Sequence, residues 1–196
     1  PLTNTWIAGS GNWNLVTNWS LGTLPERCHN VVINRSNGIT VTIPTGYIAK
    51  ARSVTINTGT SLQVNATASL EINYGLNIDN QGTIINLGDI VIMNIIIPTL
   101  FGINNTGTIN NQSSGEILVQ NSGARSFSNN AGGTISNHGQ ITIDRHVSNM
   151  NSTGLYNFGS LSNHAQITVR NIVGNDIRIA PGSSFTNQIS GTISIE

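Results

Sequence analysis

Five isoleucines, Ile90, Ile117, Ile141, Ile167 and Ile193, follow one another at intervals of 27, 24, 26 and 26 residues. A common frame surrounds them. NQGTIINLGDIVI (80–92) aligns with NTGTINNQSSGEILV (105–119), NAGGTISNHGQITI (130–143) and NFGSLSNHAQITV (157–169). NQISGTISI (187–195) keeps only the second half. A period of about 25 residues, with short apolar alternations separated by Asn and Gly, predicts the coils of a β-solenoid.

Within a coil the side chains alternate as they do along a strand. Ile90 and Ile92, Ile117 and Val119, Ile141 and Ile143, and Ile167 and Val169 form one inward set. Val91, Leu118, Thr142, Thr168 and Ser194 point the other way and drift toward polar. Ile84, Ile109, Ile135 and Leu161 form a second inward file. Helix is disfavoured, because Asn, Gly and β-branched residues are poor helix formers and no 3.6-residue period appears. Each Asn-x-Gly is expected where the chain bends between two strand faces, with Gly supplying positive φ. Stacked coils bring Asn86, Asn111, Asn137 and Asn163 above one another, so these four amides are expected to form a structural hydrogen-bonded ladder.

The first half is less regular. VVI (31–33), ITVTI (39–43), RSVTI (52–56), SLQV (61–64) and SLEI (69–72) read as short strands, with PTG (44–46) and NTGT (57–60) as turns. Residues 30–196 then supply about six and a half coils of one continuous domain, a rod roughly 30 Å long. Residues 1–29 stand apart and hold all three tryptophans, Trp6, Trp13 and Trp19. The first coil of a solenoid has nothing beneath it, and an aromatic cap would cover its apolar end. The rival reading makes the indoles a platform for sugar faces.

The opening reads W-x-x-G-S-G-N-W-x-x-x-x-N-W-S from Trp6 to Ser20, followed by Pro25 and VVI at 31–33. It resembles the start of bacterial secreted β-helix proteins of the adhesin and autotransporter-passenger kind. The Asn-x-Gly-x-Ile units are similar to filamentous-haemagglutinin-type repeats. The resemblance implies an all-β chain folded as a single right-handed parallel β-helix, working outside the cell or on its surface. One position departs: Cys28-His29-Asn30 stands where an acidic residue often precedes the first strand.

Composition limits the partners. Charged residues are 8% of the chain, eight of each sign, against 29 Asn, 28 Ile and 21 Gly. Lys50 is the sole lysine. Nucleic acid and anionic membrane need clustered Lys and Arg, so neither is expected. No apolar run approaches 18 residues; IIIP at 95–98 is the longest cluster. Cys28 is the only cysteine, read as a small apolar residue or a reactive thiol. The chain begins at Pro1, which fits a removed signal peptide or a trimmed start.

No catalytic, cofactor or metal site is assigned. Asp89 and Glu116 share a register, continued by Gln140, Gln166 and Thr192; a solvated pair or a cation site both fit. Asp144, Arg170 and Glu196 share another and read as an exposed charge ladder. Asp144-Arg145-His146 is the one charged cluster with a histidine. His138 and His164 lie one coil apart and make a weak metal pair. Thr83, Thr108, Thr134 and Ser160 form an outward hydroxyl file. Its neighbour (Ile85, Asn110, Ser136, Ser162) lacks the second threonine row that ice binding would use. Sequons at Asn18, Asn34, Asn65, Asn104, Asn111 and Asn151 arise readily by chance.

The end of the chain, through Ile193, Ile195 and Glu196, stops within a strand. A fragment of a longer rod, a charged guard and an assembly end are the three readings. Together these features predict a non-catalytic structural or adhesive rod. It would associate with itself, or with cell-surface, matrix or glycan partners. A carbohydrate-binding or polysaccharide-degrading β-helix is the alternative.

Overall fold

The computed structural model describes residues 1–35, 38–95, 101–122, 125–144 and 152–196. Arg145, His146, Asn151 and most of the IIIP cluster lie outside these. The chain opens with β1 (Thr3–Thr5) and β2 (Gly11–Asn12), a partial turn. Seven three-stranded coils follow. The first is β3 (Asn30–Ile33), β4 (Thr40–Ile43) and β5 (Ile48–Lys50). The second is β6 (Ser53–Ile56), β7 (Ser61–Val64) and β8 (Ser69–Asn73). The third is β9 (Ile78–Asn80), β10 (Thr83–Asn86) and β11 (Asp89–Met93). The fourth is β12 (Phe101–Asn105), β13 (Thr108–Asn111) and β14 (Glu116–Gln120). The fifth is β15 (Arg125–Asn129), β16 (Thr134–Asn137) and β17 (Gln140–Asp144). The sixth is β18 (Ser152–Asn157), β19 (Ser160–Asn163) and β20 (Gln166–Arg170). The seventh is β21 (Gly174–Ile179), β22 (Ser184–Asn187) and β23 (Thr192–Ile195).

Every strand pairs in parallel with its counterpart one coil away. The result is three sheets, begun by β1, β2 and β5 and here called sheets 1, 2 and 3. At about 4.8 Å per coil the stack is on the order of 35 Å long. The isoleucine file is one vertical column: Ile90, Ile117, Ile141, Ile167 and Ile193 are successive partners in sheet 3. It continues downward through Leu70 and Ala49. The second file, in sheet 2, extends from Val41 and Leu62 through Ile84 to Leu161 and Phe185.

The coil has three faces, one more than the two inward files legible in the repeats. Sheet 1 supplies a third inward file, Val31, Val54, Ile78, Ile103, Phe127, Leu155 and Ile177. The rod also has seven full coils rather than six and a half. All but the last coil's members of these files are buried, and they form one continuous core. Burying a Val, Leu or Ile side chain contributes roughly 1.5–3 kcal/mol, so the rungs together offset the cost of ordering so many short strands.

The role expected of the Asn-x-Gly glycines is corrected at most of these corners. Gly82, Gly88, Gly107, Gly139 and Gly159 are not in the left-handed region. They are glycine because the coil beneath comes too close for a Cβ. At Gly107 an added Cβ would run into the Gly82 carbonyl oxygen and lie 2.7 Å from the Gln81 carbonyl carbon. Positive φ is kept at two Asn-x-Gly glycines, Gly59 (φ 78°) and Gly132 (φ 83°), and used at other wide turns such as Gly46 and Gly182 (φ 81°), where a Cβ would meet open space. Gly107→Ala should therefore push two coils apart and lower stability by about 2–3 kcal/mol. Gly132→Ala should carry only backbone strain, about 1 kcal/mol. Urea unfolding midpoints of the two variants test the distinction; equal losses would refute it.

The N-terminal segment closes the bottom of the stack. β1 pairs with β3 and β2 with β4, so residues 1–29 extend sheets 1 and 2 by one partial rung. Trp6, Trp13 and Trp19 are 1%, 0% and 1% exposed and belong to the core. Trp19 meets Trp6 edge-to-face at 4.9 Å and Trp13 at 4.8 Å, geometries worth about 0.5–1.5 kcal/mol beyond burial. Trp6 Nε1 donates to the Gly9 carbonyl and Trp19 Nε1 to the Trp13 carbonyl. Buried rings leave no face for a sugar, and the platform reading is withdrawn.

Candidate functional site

The interior of the solenoid carries the expected amide ladder. Asn86, Asn111, Asn137 and Asn163 are fully buried. Each Nδ2 donates to the Oδ1 of the next coil at 2.7–2.8 Å, and Asn163 passes the chain on to Asn187. Further Nδ2 bonds go to backbone carbonyls beyond the corner, as from Asn86 to Glu116 and from Asn111 to Gln140. These bonds satisfy donors that would be costly to bury unpaired, and aligned amides polarise one another.

A second ladder went unforeseen. Asn80, Asn105, Asn129 and Asn157 link at 2.7 Å at the corner between sheets 1 and 2. Its signal was the Asn that opens Asn-x-Gly at Asn80, Asn105 and Asn157; in the fifth coil the ladder residue, Asn129, stands one position before the unit. Both ladders begin in the third coil, where Ile56 and Val64 lie below Asn80 and Asn86. The Oδ1 atoms of Asn80 and Asn86 accordingly have no donor. A third, shallower amide chain runs Asn121 to Asn94 to Asn73 at the remaining corner. There Asn94, Asn121 and Asn171 adopt φ of 54°, 50° and 56°, so asparagine's tolerance of the left-handed region is used at this corner.

The outer faces differ in chemistry. None of the strands of sheet 2 carries Asp, Glu, Lys or Arg. Its first outward file is hydroxylic in all seven coils: Thr40, Ser61, Thr83, Thr108, Thr134, Ser160 and Ser184. The second mixes Thr42, Gln63, Ile85, Asn110, Ser136, Ser162 and Thr186, so the row is not uniformly threonine. Where sheets 1 and 2 meet, the wide turns at Ala131-Gly132 and Pro181-Gly182 flank an open cleft of about 450 Å³. Phe158, 43% exposed, lines it together with the hydroxyl residues Thr134, Ser160 and Ser184.

Sheet 3 carries the remaining sequence candidates. Asp89 and Glu116 are direct register partners on its outer face, followed by Gln140, Gln166 and Thr192. Asp144 and Arg170 are also partners and form an ion pair at 3.1 Å. The expectation of an exposed ladder is corrected here, because Asp144 is only 4% exposed. It also accepts from Asn171 Nδ2 at 2.8 Å and from Gln120 Nε2. Multiple donors around a buried carboxylate are what its desolvation demands. Such a fully engaged group is structural.

His138 and His164 stack with ring centroids 4.2 Å apart and planes 11° from parallel. His164 Nε2 lies 3.0 Å from Ser162 Oγ. Among the described residues no third His, Cys, Asp or Glu joins them as a metal-ligating group. Cys28 is exposed, so it is not the small core residue that was one of its two readings. In the seventh coil Ile193 and Ile195 pair with Ile167 and Val169, and Ile195 is 58% exposed. Glu196 receives the Asn171 amide on its carbonyl and the Ser194 hydroxyl on its side chain.

These features define a three-sheet parallel β-solenoid, capped by tryptophan at one end and laddered inside by asparagine. A family model described as a domain of unknown function, DUF8693, matches residues 5–95, the cap and the first three coils. No curated protein and no solved structure matches the chain.

Proposed function

We propose that this chain is a non-catalytic structural or adhesive rod of the cell surface or extracellular space. The observation that carries the reading is the charge-free outer face of sheet 2, with a hydroxyl at the same place in every coil. A face that repeats every coil suits a partner that repeats, whether a glycan, a matrix polymer or a second copy of the rod. Self-association belongs to the same reading. β21, β22 and β23 each pair on one side within the described residues, and their free edges suit a further coil or another subunit. Secretion rests on the resemblance of the opening and the repeats to secreted β-helix proteins.

The enzymatic alternative would centre on Asp89 and Glu116. Acid–base work on a glycan needs two carboxylates held near the scissile bond, and these are the acidic pair in register. A glycan and matrix-protein array, run beside polysaccharide turnover assays, separates the readings. Saturable binding without turnover is the expected result. Turnover that disappears in Asp89→Ala would replace the rod with an enzyme. Electron microscopy and light scattering through a dilution series test assembly; monomers at every concentration would remove the filament version.

A further inference from the structure

The corner between sheets 1 and 2 changes length from coil to coil. In the fifth coil four residues join Asn129 to Thr134, and in the seventh four join Ile179 to Ser184. Between them the sixth coil has only two, Phe158 and Gly159, from Asn157 to Ser160. The flanking strands stay in register throughout. A short corner between two long ones leaves a recess, the open cleft of about 450 Å³. At the matching position the third and fourth coils place Gln81 and Thr106. The sixth places an aromatic ring there, and Phe158 stands exposed outside the core.

The lining decides what fits. Among the described residues it includes no Asp, Glu, Lys, Arg or His, so an ion would lose hydration without gaining a counter-charge. Its backbone donors are engaged: the amides of Gly133, Thr134, Phe158, Gly159, Ser160 and Ser184 all donate to carbonyls of the chain. A peptide added as a strand needs such donors and would not find them. What remains are the hydroxyls of Thr134, Ser160 and Ser184. The carbonyls of these residues accept from the Asn105, Asn129 and Asn157 side chains. Their hydroxyls make no hydrogen bond among the described residues. Each can donate one bond and accept two. As register partners they stand about one coil step of 4.8 Å apart.

One exposed ring beside three free neutral hydroxyls suits a ligand that is apolar on its face and hydroxylated at its edge. We propose that this recess binds a hexopyranose unit of a neutral glycan. A pyranose ring presents C–H groups on its faces and hydroxyls around its rim. Phe158 takes the C–H face, and the hydroxyls of Thr134, Ser160 and Ser184 take the rim. The turns at Ala131-Gly132 and Pro181-Gly182 flank the sugar on either side. The proposal deepens the adhesive-rod reading and rests on it.

The test is NMR titration of the purified chain with cellohexaose, mannohexaose and chitohexaose, beside oligogalacturonate and a threonine–valine peptide. At least one neutral hexasaccharide should bind with a Kd of about 1 mM or tighter. Its C–H signals should move upfield, as protons over an aromatic ring do, and its affinity should hold as salt rises. Phe158→Ala should weaken binding roughly tenfold and remove the upfield shift, and Phe158→Trp should keep both. Ser160→Ala should weaken binding about fivefold, the worth of one neutral hydrogen bond. Ser61→Ala, in the same hydroxyl file four coils away, should leave it unchanged. Unchanged circular dichroism confirms the fold of each variant. No binding by any neutral hexasaccharide, wild-type affinity in Phe158→Ala, equal losses at Ser160 and Ser61, or tighter binding of oligogalacturonate or the peptide would overturn the proposal. If glycan or matrix binding on the array survives Phe158→Ala, only this site falls; if no surface or polymer is bound at all, the adhesive reading falls with it.

Discussion

Replacing Asn111 with leucine should lower the unfolding free energy by about 3–4 kcal/mol, the largest loss expected from a near-isosteric change in this chain. Asn111 sits mid-ladder, taking a bond from Asn86 and giving one to Asn137 at 2.8 Å each. Leucine leaves a buried Nδ2 N–H below and a buried Oδ1 above without partners, and each such orphan costs roughly 1–3 kcal/mol. The comparison variant is Asn187→Leu at the ladder's last rung, where the residue is exposed and only one ladder bond is lost. It should cost under about 1 kcal/mol, because water replaces the missing partner. Urea denaturation of both variants is the measurement. Equal losses would mean that the ladder contributes nothing beyond local propensity.

Trp13→Ala should cost about 3–5 kcal/mol, the usual range for deleting a buried indole. Its ring is fully buried beneath the first coil and packs edge-to-face on Trp19. The loss should appear as a lower thermal midpoint with early fraying of β1 and β2, seen by hydrogen exchange. Glycan binding by the folded fraction should not change, since the indole has no exposed face. A variant of wild-type stability that loses a glycan ligand would return the tryptophans to a binding role.

Much of this molecule was readable from residue spacing, and the unreadable part has identifiable causes. Sheets 2 and 3 announce themselves because a short corner joins them, as at Asn86 to Asp89 and Asn163 to Gln166, which keeps the repeat nearly constant. Sheet 1 showed only in its first two coils, as VVI (31–33) and RSVTI (52–56), because the segment leading into it varies in length from coil to coil. Phe101 pairs with Arg125, Arg125 with Thr153 and Thr153 with Asn175, so the sequence interval drifts while the spatial one does not. Its inward file also switches from Val and Ile to Phe127 and Leu155, inside RSFSN and STGLYN, which carry little strand signature. The second asparagine ladder was missed for a related reason. Its members close the sheet 1 strands, and without that sheet they looked like turn residues alone.

The candidate surfaces divide in the same way. The hydroxyl file of sheet 2 was half visible, from Thr83 to Ser160, and stacking extended it to Thr40 and Ser184. The recess at Phe158 was invisible in one dimension, since Ala131, Phe158 and Pro181 are 27 and 23 residues apart in three different corners.

By itself the sequence determined the coil, its aliphatic rungs, the Asn86–Asn163 ladder and a cap rich in tryptophan. Alternation and period are local properties, and burial of every second side chain leaves little freedom once they are set. Only the tertiary structure decided that the coil has three faces, that the corner glycines answer to the coil beneath, and that Asp144 is buried. It alone set Phe158 in a recess between two wider corners. Those outcomes depend on which residue lies 4.8 Å above or below another, roughly one coil step, and loops of unequal length conceal that pairing until the stack is built.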